Sequence, residues 1–312
     1  MTLSTPRTAA GAWRVGVVVL TWNGRDDTVA CVRSLAHSTE VTICVIVVDN
    51  GSFDGTEEAV RSCGVALTFI QNGANLGFSR GNNVGIDVAM QWGANAVLVL
   101  NNDTTVEPTT ICRLASTLRD TPTAGACSPV VRYATDPGRI WFAGAPYVAS
   151  HSHAGRASIY ELGAPLPQEP FRVDRAVGAA MMVRREVVES VGVFADELFF
   201  LYEDVDWSLR MRAAGWDVLL DPGATIAHKV AASQEGTPVT PTTAYYGTRN
   251  DLELGRRHGG LSRLRALRRE VGCAVVHLAG VRRARRGARL ASLRATVIGW
   301  RDYRRGRFGP AG

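Results

Sequence analysis

The stretch RVGVVVLTWNG (residues 14–24) joins an unbroken run of apolar, mostly β-branched residues to a short polar segment. An apolar run of this length is typical of a strand buried on both faces of a parallel sheet. Helical periodicity follows at 26–38 and 80–92. Strands that alternate with helices predict an α/β fold with a mainly parallel, Rossmann-like sheet flanked by helices. The other predicted strands of this part are ICVIVVD (43–49), VALTFIQ (65–71) and AVLVLN (96–101).

Polar residues directly follow three of these strands. The first strand ends in TWNG (21–24), the second in DNGSFDGT (49–56) and the fourth in NNDTTVEP (101–108). Asn, Asp and Gly also favour turns and helix caps, so a single such cluster would be explained by turn geometry. Ligands of open α/β sheets bind beyond the carboxyl ends of the strands. Three polar clusters at one edge therefore predict a ligand site.

A second group of acids lies in FFLYEDVDWSLR (199–210), directly after aromatic and aliphatic residues. Acids favour the first turn of a helix, and Asp206 can pair with Arg210 four residues later. On such a helix Glu203 and Asp206 share a face while Asp204 points elsewhere. Helix-start chemistry and a catalytic carboxylate are both compatible with this pattern.

Composition limits the class of protein. The chain has 312 residues, 46% of them hydrophobic, which suits one large domain or a domain with an appendage. We expect no signal peptide, because a positively charged start followed by an apolar stretch is missing at the N-terminus. We expect no membrane span, because no apolar segment approaches about 18 residues. The six cysteines form no CxxC pair, and we interpret them as reduced thiols of a cytoplasmic protein.

The net charge of +6 is unevenly distributed. From residue 249 onward there are 17 arginines against four acids, a net charge of +13, so residues 1–248 carry −7. This asymmetry predicts a polyanionic partner or surface. Nucleic acid is not expected, because aromatic residues for base stacking are not interleaved with the arginines.

The remaining segments carry weaker patterns. Residues 132–172 predict loops or a small hairpin, and the loop histidines at 151 and 153 lack evident partner ligands. Residues 173–194 predict a strand and a short helix, 217–230 two short strands, and 233–243 a loop. Beyond residue 260 an amphipathic helix is predicted, which either packs on the catalytic domain or adheres to an anionic membrane. Its apolar stripe comprises Leu264, Leu267, Val271, Val275, Leu278 and Val281.

Two common nucleotide-binding motifs are missing. Neither the G-x-G-x-x-G fingerprint nor the G-x-x-x-x-G-K-[ST] loop follows the first strand, which argues against dinucleotide-dependent oxidoreductases and P-loop NTPases. A nucleotidyltransferase would need a glycine-rich basic loop where TWNGRDD stands. Carboxylate and amide oxygens at the strand ends instead suit Mg²⁺ or Mn²⁺ that bridges an anionic ligand.

Five segments in order resemble the motifs of family 2 inverting glycosyltransferases of the GT-A fold, in the rhamnosyltransferase-like branch. The resemblance covers about residues 15–229, and YYGTRNDLEL (245–254) continues it. It is specific for the family and much less so for the sugar. The segments are VVVLTWNG, IVVDNGSFDGT, NLGFSRGNNVGI, VLVLNNDTTVEP and VGAAMMVRREVVESVGVFADELFFLYEDVDWSLRMRAAGW.

The resemblance implies roles for individual residues. Asp204 matches the general base, and Glu203 beside it is the second residue expected to be catalytic. Asp103 matches the metal-binding carboxylate of the DXD motif, and His228 matches a histidine that completes the metal site in some relatives, although a strand-end surface histidine remains an alternative. Asn101 replaces the first Asp of DXD, which puts metal affinity in doubt more than metal use. The implied donor-binding residues are Thr21, Trp22, Asn23, Asp49, Asn50, Asn75, Gly81, Asn82, Asn101 and Asn102.

The implied reaction moves a sugar from a nucleotide-diphosphate donor, with dTDP-rhamnose the leading candidate, to a hydroxyl of a glycan or lipid-linked acceptor in cell-envelope polysaccharide synthesis. A divalent metal, Mg²⁺ or Mn²⁺, is expected. A catalytically idle binding subunit or another donor such as a UDP-sugar stays open, as does a homodimer. We expect a GT-A catalytic domain at 1–243 (nucleotide-binding half about 14–131, acceptor-side half about 132–231) and a basic helical extension at 244–312. The expected location is cytoplasmic and peripheral at the inner face of the cell membrane.

Overall fold

A computed structural model describes residues 13–147, 158–229, 239–259 and 263–311 of the chain. Ten strands and nine helices lie in these ranges, together with three short 3₁₀ turns. The strands are β1 (Arg14–Thr21), β2 (Thr42–Asp49), β3 (Thr68–Gln71), β4 (Ala96–Asn101), β5 (Thr104–Val106), β6 (Ala124–Tyr133), β7 (Asp136–Phe142), β8 (Phe171–Arg172), β9 (Ala180–Arg184) and β10 (Asp217–His228). The helices are α1 (Arg25–Leu35), α2 (Thr56–Arg61), α3 (Gly77–Gln91), α4 (Thr110–Asp120), α5 (Arg185–Val191), α6 (Glu203–Ala213), α7 (Pro241–His258), α8 (Arg263–Gly280) and α9 (Arg289–Arg304).

The strands form one sheet in the order β3-β2-β1-β4-β9-β6-β10-β5, with β7 added to β6 and β8 to β10. The first four strands of this order are parallel to one another. Strand β9 runs antiparallel between β4 and β6, and β6 and β10 are again parallel. The predicted α/β class with helices flanking the sheet is confirmed.

Apolar side chains cover both faces of the sheet. Along β1, Val17 and Val19 belong to one buried cluster with residues of α1 and α4, whereas Val18 belongs to another with residues of α3 and α6. This alternation explains why β1 is apolar throughout, since both faces of a parallel strand are buried. Helix α3 lies so close to β1 that a Cβ on Gly16 would come within 2.3 Å of the Ala89 Cβ.

Two of the predicted strand assignments were wrong. The third strand is shorter than predicted and covers only Thr68–Gln71. The two short strands predicted at 217–230 are one strand, β10, whose register shifts between Asp221 and Thr225. Pro222 lies at that shift, and a residue without an N–H donor is tolerated in a sheet mainly at such irregularities. Of the loops or small hairpin predicted at 132–172, the structure shows β7, which pairs antiparallel with the end of β6.

The loop predicted at 233–243 lies partly outside the described residues, and its last three residues instead begin α7. Thr240 caps this helix in a reciprocal capping box with Thr243, and Pro241 occupies the first turn. Both features are strong helix-start signals. The histidines at 151 and 153 lie outside the described residues.

The C-terminal helices turn a polar face inward. Leu267, Val271, Val275 and Leu278 of α8 expose 42–59% of their surface, so packing on the catalytic domain is the wrong explanation for them. Val281 is buried, and the side chain of Leu264 lies outside the described residues. Buried polar side chains take the inner positions instead: Arg269 and Asp251, with Ser292, Thr296 and Asp302 from α9. The basic helical C-terminal extension itself is confirmed.

All six cysteines are free. Three of them, Cys31, Cys127 and Cys273, are buried, and burial raises the pKa of each of these thiols. The structure therefore agrees with the interpretation as reduced thiols. Among the described residues, every helix is too short or too polar to span a lipid bilayer.

Candidate functional site

The carboxyl ends of three parallel strands bring the predicted polar clusters together. In the register of the sheet, Thr21 pairs with Asp49, and Leu20 pairs with Asn101 on the other side. The side chains that follow β1, β2 and β4 therefore lie along one edge. A ligand at this edge would meet all three clusters, as expected for an open α/β sheet.

Asp49 is fully buried and organises the turn that follows β2. Its Oδ1 accepts hydrogen bonds from the Ser52 N–H at 2.8 Å and the Ser52 hydroxyl at 2.6 Å, and its Oδ2 accepts one from Gln71 at 3.1 Å. The Ser52 hydroxyl in turn accepts from the Asn23 N–H at 2.8 Å. Asp49 thus links the turns after β1 and β2, and Asn23 has a left-handed φ of 53° there.

Two aromatic side chains stand out into solvent at this edge. Trp22 exposes 56% of its surface and Phe53 exposes 85%. The side-chain oxygen of Asn23 accepts a hydrogen bond from the Phe53 N–H at 2.9 Å, which ties the two turns together. Large exposed aromatic rings supply flat apolar surface for a planar ligand. Phe53 was not singled out in the sequence, although it follows DNGS directly.

A network of amides surrounds the start of α3. The Asn50 side chain donates to the Gly77 carbonyl at 3.0 Å and accepts from Asn72 at 2.9 Å. Asn75 accepts from the Gly77 N–H at 2.9 Å. Gly81 packs against this network, because a Cβ there would lie 3.0 Å from both polar atoms of the Asn50 side chain. These contacts fix the start of α3 beside the carboxyl ends of β1 and β2.

Two further predicted residues lie deeper in the same region. The Asn82 side chain is buried and donates to the Phe78 carbonyl at 2.9 Å, while its oxygen has no hydrogen-bond partner. Asn102 donates to the hydroxyls of Thr21 and Thr28 at 3.3 and 3.0 Å. The strand-end backbone of Asn101 accepts from the Thr104 hydroxyl at 2.7 Å.

Asp103 and His228 meet although 125 residues separate them, because β5 pairs with β10. The His228 Nε2 lies 2.9 Å from the Asp103 Oδ1. The short distance comes without a well-formed hydrogen bond, since this buried Oδ1 and the His228 Nδ1 both lack a hydrogen-bond partner. His228 is 4% exposed, and the edge of its ring packs against Trp141. A carboxylate and an imidazole with unsatisfied atoms fit a divalent cation.

The three acids of the second group begin α6 and have different surroundings. Asp204 is partly exposed, and its carboxylate accepts hydrogen bonds from the Gly178 N–H at 2.9 Å and the Val205 N–H at 2.7 Å. Glu203 is 6% exposed, and its Oε2 has no hydrogen-bond partner. Burial raises the pKa of Glu203 well above its ordinary value, and the charges of Asp204 and Asp206 add to that shift.

Asp206 is fully buried among cations. The predicted pair with Arg210 is present at 2.8 Å, and His258 of α7 lies 2.8 Å from the same carboxylate. Burial alone would raise the pKa of Asp206, but the hydrogen bond with His258 and the charge of Arg210 outweigh it and lower the pKa. Asp204 is thus the acid of the three with a carboxylate both held in place and open to solvent.

Three potential metal ligands also meet away from this edge. The ligand atoms of Asp251, Cys273 and His277 lie within 4.8 Å of one another between α7 and α8. Arg269 already donates to Asp251 at 2.9 Å, and burial together with the Asp251 charge raises the pKa of the Cys273 thiol. These contacts satisfy the cluster as a hydrogen-bonded link between two helices.

Solved structures of other proteins share this fold. A mannosyltransferase from Pyrobaculum calidifontis in complex with GDP-Man and Mn²⁺ matches with a TM-score of 0.57 over 96% of this chain and 84% of that one, at 16% identity. GalNAc-T7 with UDP, GalNAc and Mn²⁺ matches at 0.59 and 16% identity over 78% of this chain and 48% of that one. S. aureus TarS 1–349 matches at 0.54 and 15% identity over 94% and 92% of the two chains. The fold is that of the GT-A glycosyltransferases.

The family follows from the sequence comparisons. The model of glycosyl transferase family 2 matches residues 16–192, and the chain belongs to this family. It is 30% identical over 267 residues to the N-acetylglucosaminyl-diphospho-decaprenol L-rhamnosyltransferase of Mycobacterium tuberculosis, covering 78% of this chain and 85% of that protein. It is 26% identical over 220 residues to the dTDP-rhamnosyl transferase RfbF of Shigella flexneri, covering 69% and 71%. The predicted family and its rhamnosyltransferase-like character are confirmed.

Proposed function

We propose that the protein transfers L-rhamnose from dTDP-rhamnose to a hydroxyl of a lipid-linked glycan, with inversion at the anomeric carbon. The observation that carries the proposal is the contrast at the start of α6, where Asp204 is held by two backbone N–H groups and open to solvent while both neighbouring acids are buried. The two rhamnosyltransferases to which the chain is similar support the choice of sugar, and the diphospho-decaprenol of the mycobacterial name supports a lipid-linked acceptor.

Asp204 acts as the general base in a single displacement. The acceptor hydroxyl oxygen forms a bond to the anomeric carbon, its proton passes to the Asp204 carboxylate, and the bond to the nucleotide diphosphate breaks with its electron pair on the departing phosphate oxygen. The N–H groups of Gly178 and Val205 fix the carboxylate, and the partial exposure of Asp204 makes it accessible to an acceptor. Glu203 is too buried to share this role.

The donor binds along the edge formed by β1, β2 and β4. Trp22 offers an exposed ring to the nucleobase, and the amide network around Asn50 lies at the same edge. Asp49 acts through the turns that it organises, because Ser52 and Gln71 occupy its oxygens. Asp103 and His228 would hold a divalent cation, Mg²⁺ or Mn²⁺, which when bound supplies positive charge to the leaving diphosphate.

A panel of sugar nucleotides tests the activity. The protein is incubated with dTDP-rhamnose, UDP-glucose, UDP-N-acetylglucosamine or GDP-mannose, with Mn²⁺ and an N-acetylglucosaminyl-diphospholipid, and the glycolipid product is measured by mass spectrometry. We expect transfer from dTDP-rhamnose only. Transfer from another donor would overturn the choice of sugar, and absence of both transfer and donor hydrolysis with every donor would indicate an idle binding subunit.

We also propose that α8 and α9 attach the protein to an anionic membrane at the cytoplasmic face, where a lipid-linked acceptor is accessible. The apolar side chains that face outward on α8 are matched on α9 by Leu290, Leu293, Val297, Ile298 and Trp300, each 39–59% exposed. The inner face of α9 is small and polar, and a Cβ on Gly299 would come within 2.5 Å of the Tyr245 carbonyl oxygen. A helix that packs on the core of a water-soluble protein turns its apolar side chains inward. Here the small and polar side chains face inward and the apolar ones outward, which resembles helix packing in lipid.

Charge favours lipid over a second copy of the chain on this face. Exposed arginines border the apolar side chains, and the acids Glu270 and Asp302 are already paired with Arg304 and Arg301. A symmetric dimer would therefore bring arginines against arginines, whereas an anionic bilayer complements both the charge and the apolar surface. Each basic residue near such a surface contributes about 1 kcal/mol.

A further inference from the structure

The loop that leads into α6 has an unusual backbone. After the 3₁₀ turn Asp196–Leu198, three non-glycine residues have positive φ: Phe199 at 59°, Leu201 at 70° and Tyr202 at 72°. Bulky side chains rarely adopt this conformation, and each instance costs about 1–3 kcal/mol unless the surroundings enforce it. Tyr202 is the residue immediately before α6, so the direction in which Asp204 leaves the helix depends on this loop.

Asn250 of α7 holds the loop from one side. Its side-chain NH₂ group donates to the carbonyls of Leu198, Phe200 and Leu201 at 2.7, 2.8 and 2.9 Å. Asn250 is fully buried. Carbonyls that point away from regular secondary structure need such a partner when they are buried. The NH₂ group has two N–H donors, so the three carbonyls share them.

Arg249 completes this contact. Its Nη2 lies 3.2 Å from the carbonyls of both Glu197 and Leu198. Its Nε donates to the Asn250 Oδ1 at 2.9 Å, which fixes the amide so that its NH₂ group faces the loop. Neighbouring Arg and Asn side chains therefore act as one unit.

Arg249 is fully buried, and its charge is compensated mainly by carbonyls and aromatic faces. Its guanidinium lies 5.0–5.4 Å from the ring centres of Tyr245, Tyr246 and Phe308. Its Nη1 donates to the Gly309 carbonyl at 2.7 Å. Burying a cation in this way is costly unless every donor is satisfied, so the arrangement tightly determines where the guanidinium lies.

The donor side holds the same loop from the opposite direction. The Phe199 carbonyl accepts from the Phe78 N–H at the start of α3. Gly77 has a φ of +84°, and a Cβ there would come within 2.5 Å of the Phe199 ring. The loop is therefore fixed between α3, whose start borders the amide network of the donor edge, and α7.

We propose that Arg249 and Asn250 are positioning residues for the reaction: by holding the carbonyls of residues 197, 198, 200 and 201, they set the direction of Asp204 toward the donor edge. This rests on the proposed role of Asp204 as the base. The first helix of the C-terminal extension is then part of the machinery that aligns acceptor and donor.

The test compares Asn250→Leu with Thr248→Val in the full chain. Thr248 is also fully buried on α7, and its hydroxyl donates within the helix to the Ala244 carbonyl, so the control loses one buried hydrogen bond without touching the loop. We expect Asn250→Leu to lower kcat about tenfold or more, because small misplacements of reacting groups are expensive. The KM for the donor should stay within about threefold, since the donor edge is held by other elements.

A second measurement needs no activity. Hydrogen exchange of the amides at 199–206 should be faster in Asn250→Leu than in the wild type or Thr248→Val, while β1 and β4 stay protected. If Asn250→Leu fails to fold, Asn250→Ser, which retains a short donor, replaces it with the same expectations. Unchanged exchange, or kcat within twofold of the control, would overturn the inference. If the wild type itself transfers no sugar while exchange is still faster in Asn250→Leu, the result would instead count against the proposed function.

Discussion

Glu203 and Asp204 are adjacent in the chain and differ completely in environment. Glu203 is 6% exposed with an unsatisfied oxygen, whereas Asp204 is partly exposed with both oxygens bound by backbone N–H groups. The raised pKa of Glu203, caused first by burial and then by two neighbouring carboxylates, favours its protonated form. The first turn of α6 thus places an acid whose pKa is raised by burial directly beside the candidate base.

Replacing the base should abolish most of the transfer. Asp204→Asn keeps the shape of the side chain but cannot accept the proton, so we expect the rate to fall about 10²-fold or more with donor affinity retained. Glu203→Gln, the matched control one residue away, should stay within a few fold. Steady-state transfer and donor titration measure both. Near-normal turnover in Asp204→Asn would remove it from the mechanism.

Glu203 should also make stability depend on pH. Below the ordinary carboxyl pKa, the folded and unfolded states are both protonated; above it the unfolded state ionises first, so the folded state loses stability as pH rises toward the raised pKa of Glu203. Each unit of pKa difference corresponds to about 1.4 kcal/mol. Urea unfolding of Glu203→Gln should therefore show a free energy of unfolding that gains on the wild type between pH 4 and pH 7. Exposed Glu58→Gln should show no such gain, and an equal gain in both variants would contradict the assignment.

At the scale of elements, α6 and α7 are joined through Asp206. Its carboxylate contacts Arg210 of its own helix and both Arg257 and His258 of α7. Neither partner on α7 was foreseen, because the pairs form across about 50 residues and depend on how α7 lies against α6. The sequence indicated only the pair within α6.

Breaking this contact should be costly. Asp206→Asn leaves the partly buried cations of Arg210 and Arg257 without their carboxylate, and we expect a loss of about 3–5 kcal/mol in the free energy of unfolding. Because the pKa of Asp206 is lowered, its contribution in the wild type is present above the ordinary carboxyl pKa and is lost as pH falls through the lowered value. Glu189→Gln, which breaks the exposed pair with Arg185, should cost no more than about 0.5 kcal/mol. Equal losses in the two variants would refute the buried contact.

The predicted metal site at Asp103 and His228 depends on the pairing of β5 with β10. Asp103→Ala and His228→Ala should each weaken dTDP-rhamnose binding in Mn²⁺, and Asn101→Asp should tighten Mn²⁺ binding by adding a hard oxygen ligand. Isothermal titration with and without Mn²⁺ measures these affinities, with the exposed Asp26→Asn as control. Transfer that is unaffected by EDTA would show that no exchangeable metal takes part.

The whole molecule is divided by charge. An acidic body of residues 1–248 carries −7, and the remaining chain carries +13. The structure adds the apolar side chains that the basic part turns outward. Attachment to a membrane would then combine electrostatic attraction, which salt weakens, with insertion of side chains, which salt leaves intact.

Vesicle binding tests this combination. The full-length protein should co-sediment with phosphatidylglycerol-containing vesicles at low salt and remain partly bound at about 0.5 M NaCl. The triple variant Val271→Gln, Val275→Gln, Val297→Gln should bind only at low salt, whereas Leu162→Gln, a 78% exposed leucine outside these helices, should behave as the wild type.

Three results would contradict membrane attachment through this face. They are equal binding to neutral vesicles, no binding by the full-length chain, and a wild-type dimer in sedimentation velocity that the triple variant loses. The last result would identify a second copy of the chain as the partner.

The sequence by itself determined the α/β class, the strand-end clusters, the family and the Asp206–Arg210 pair. These depend on local rules: unbroken apolar runs mark buried strands, and residues four apart meet on a helix. The parallel order of β1, β2 and β4 then follows with little freedom, which is why Thr21, Asp49 and Asn101 come to one edge as expected.

Tertiary structure alone decided which residues far apart in the sequence come into contact. The contact of Asp103 with His228 requires β5 to pair with β10. The hydrogen bonds from Arg249 and Asn250 to the loop before α6 require α7 to pack against that loop. The sequence likewise did not predict that the apolar stripe on α8 faces outward. Helical periodicity shows that a helix has an apolar and a polar face, but not which face packs against the rest of the protein. That choice depends on the partner face, and here α7 offers buried Asp251 and close backbone, which select polar and small side chains.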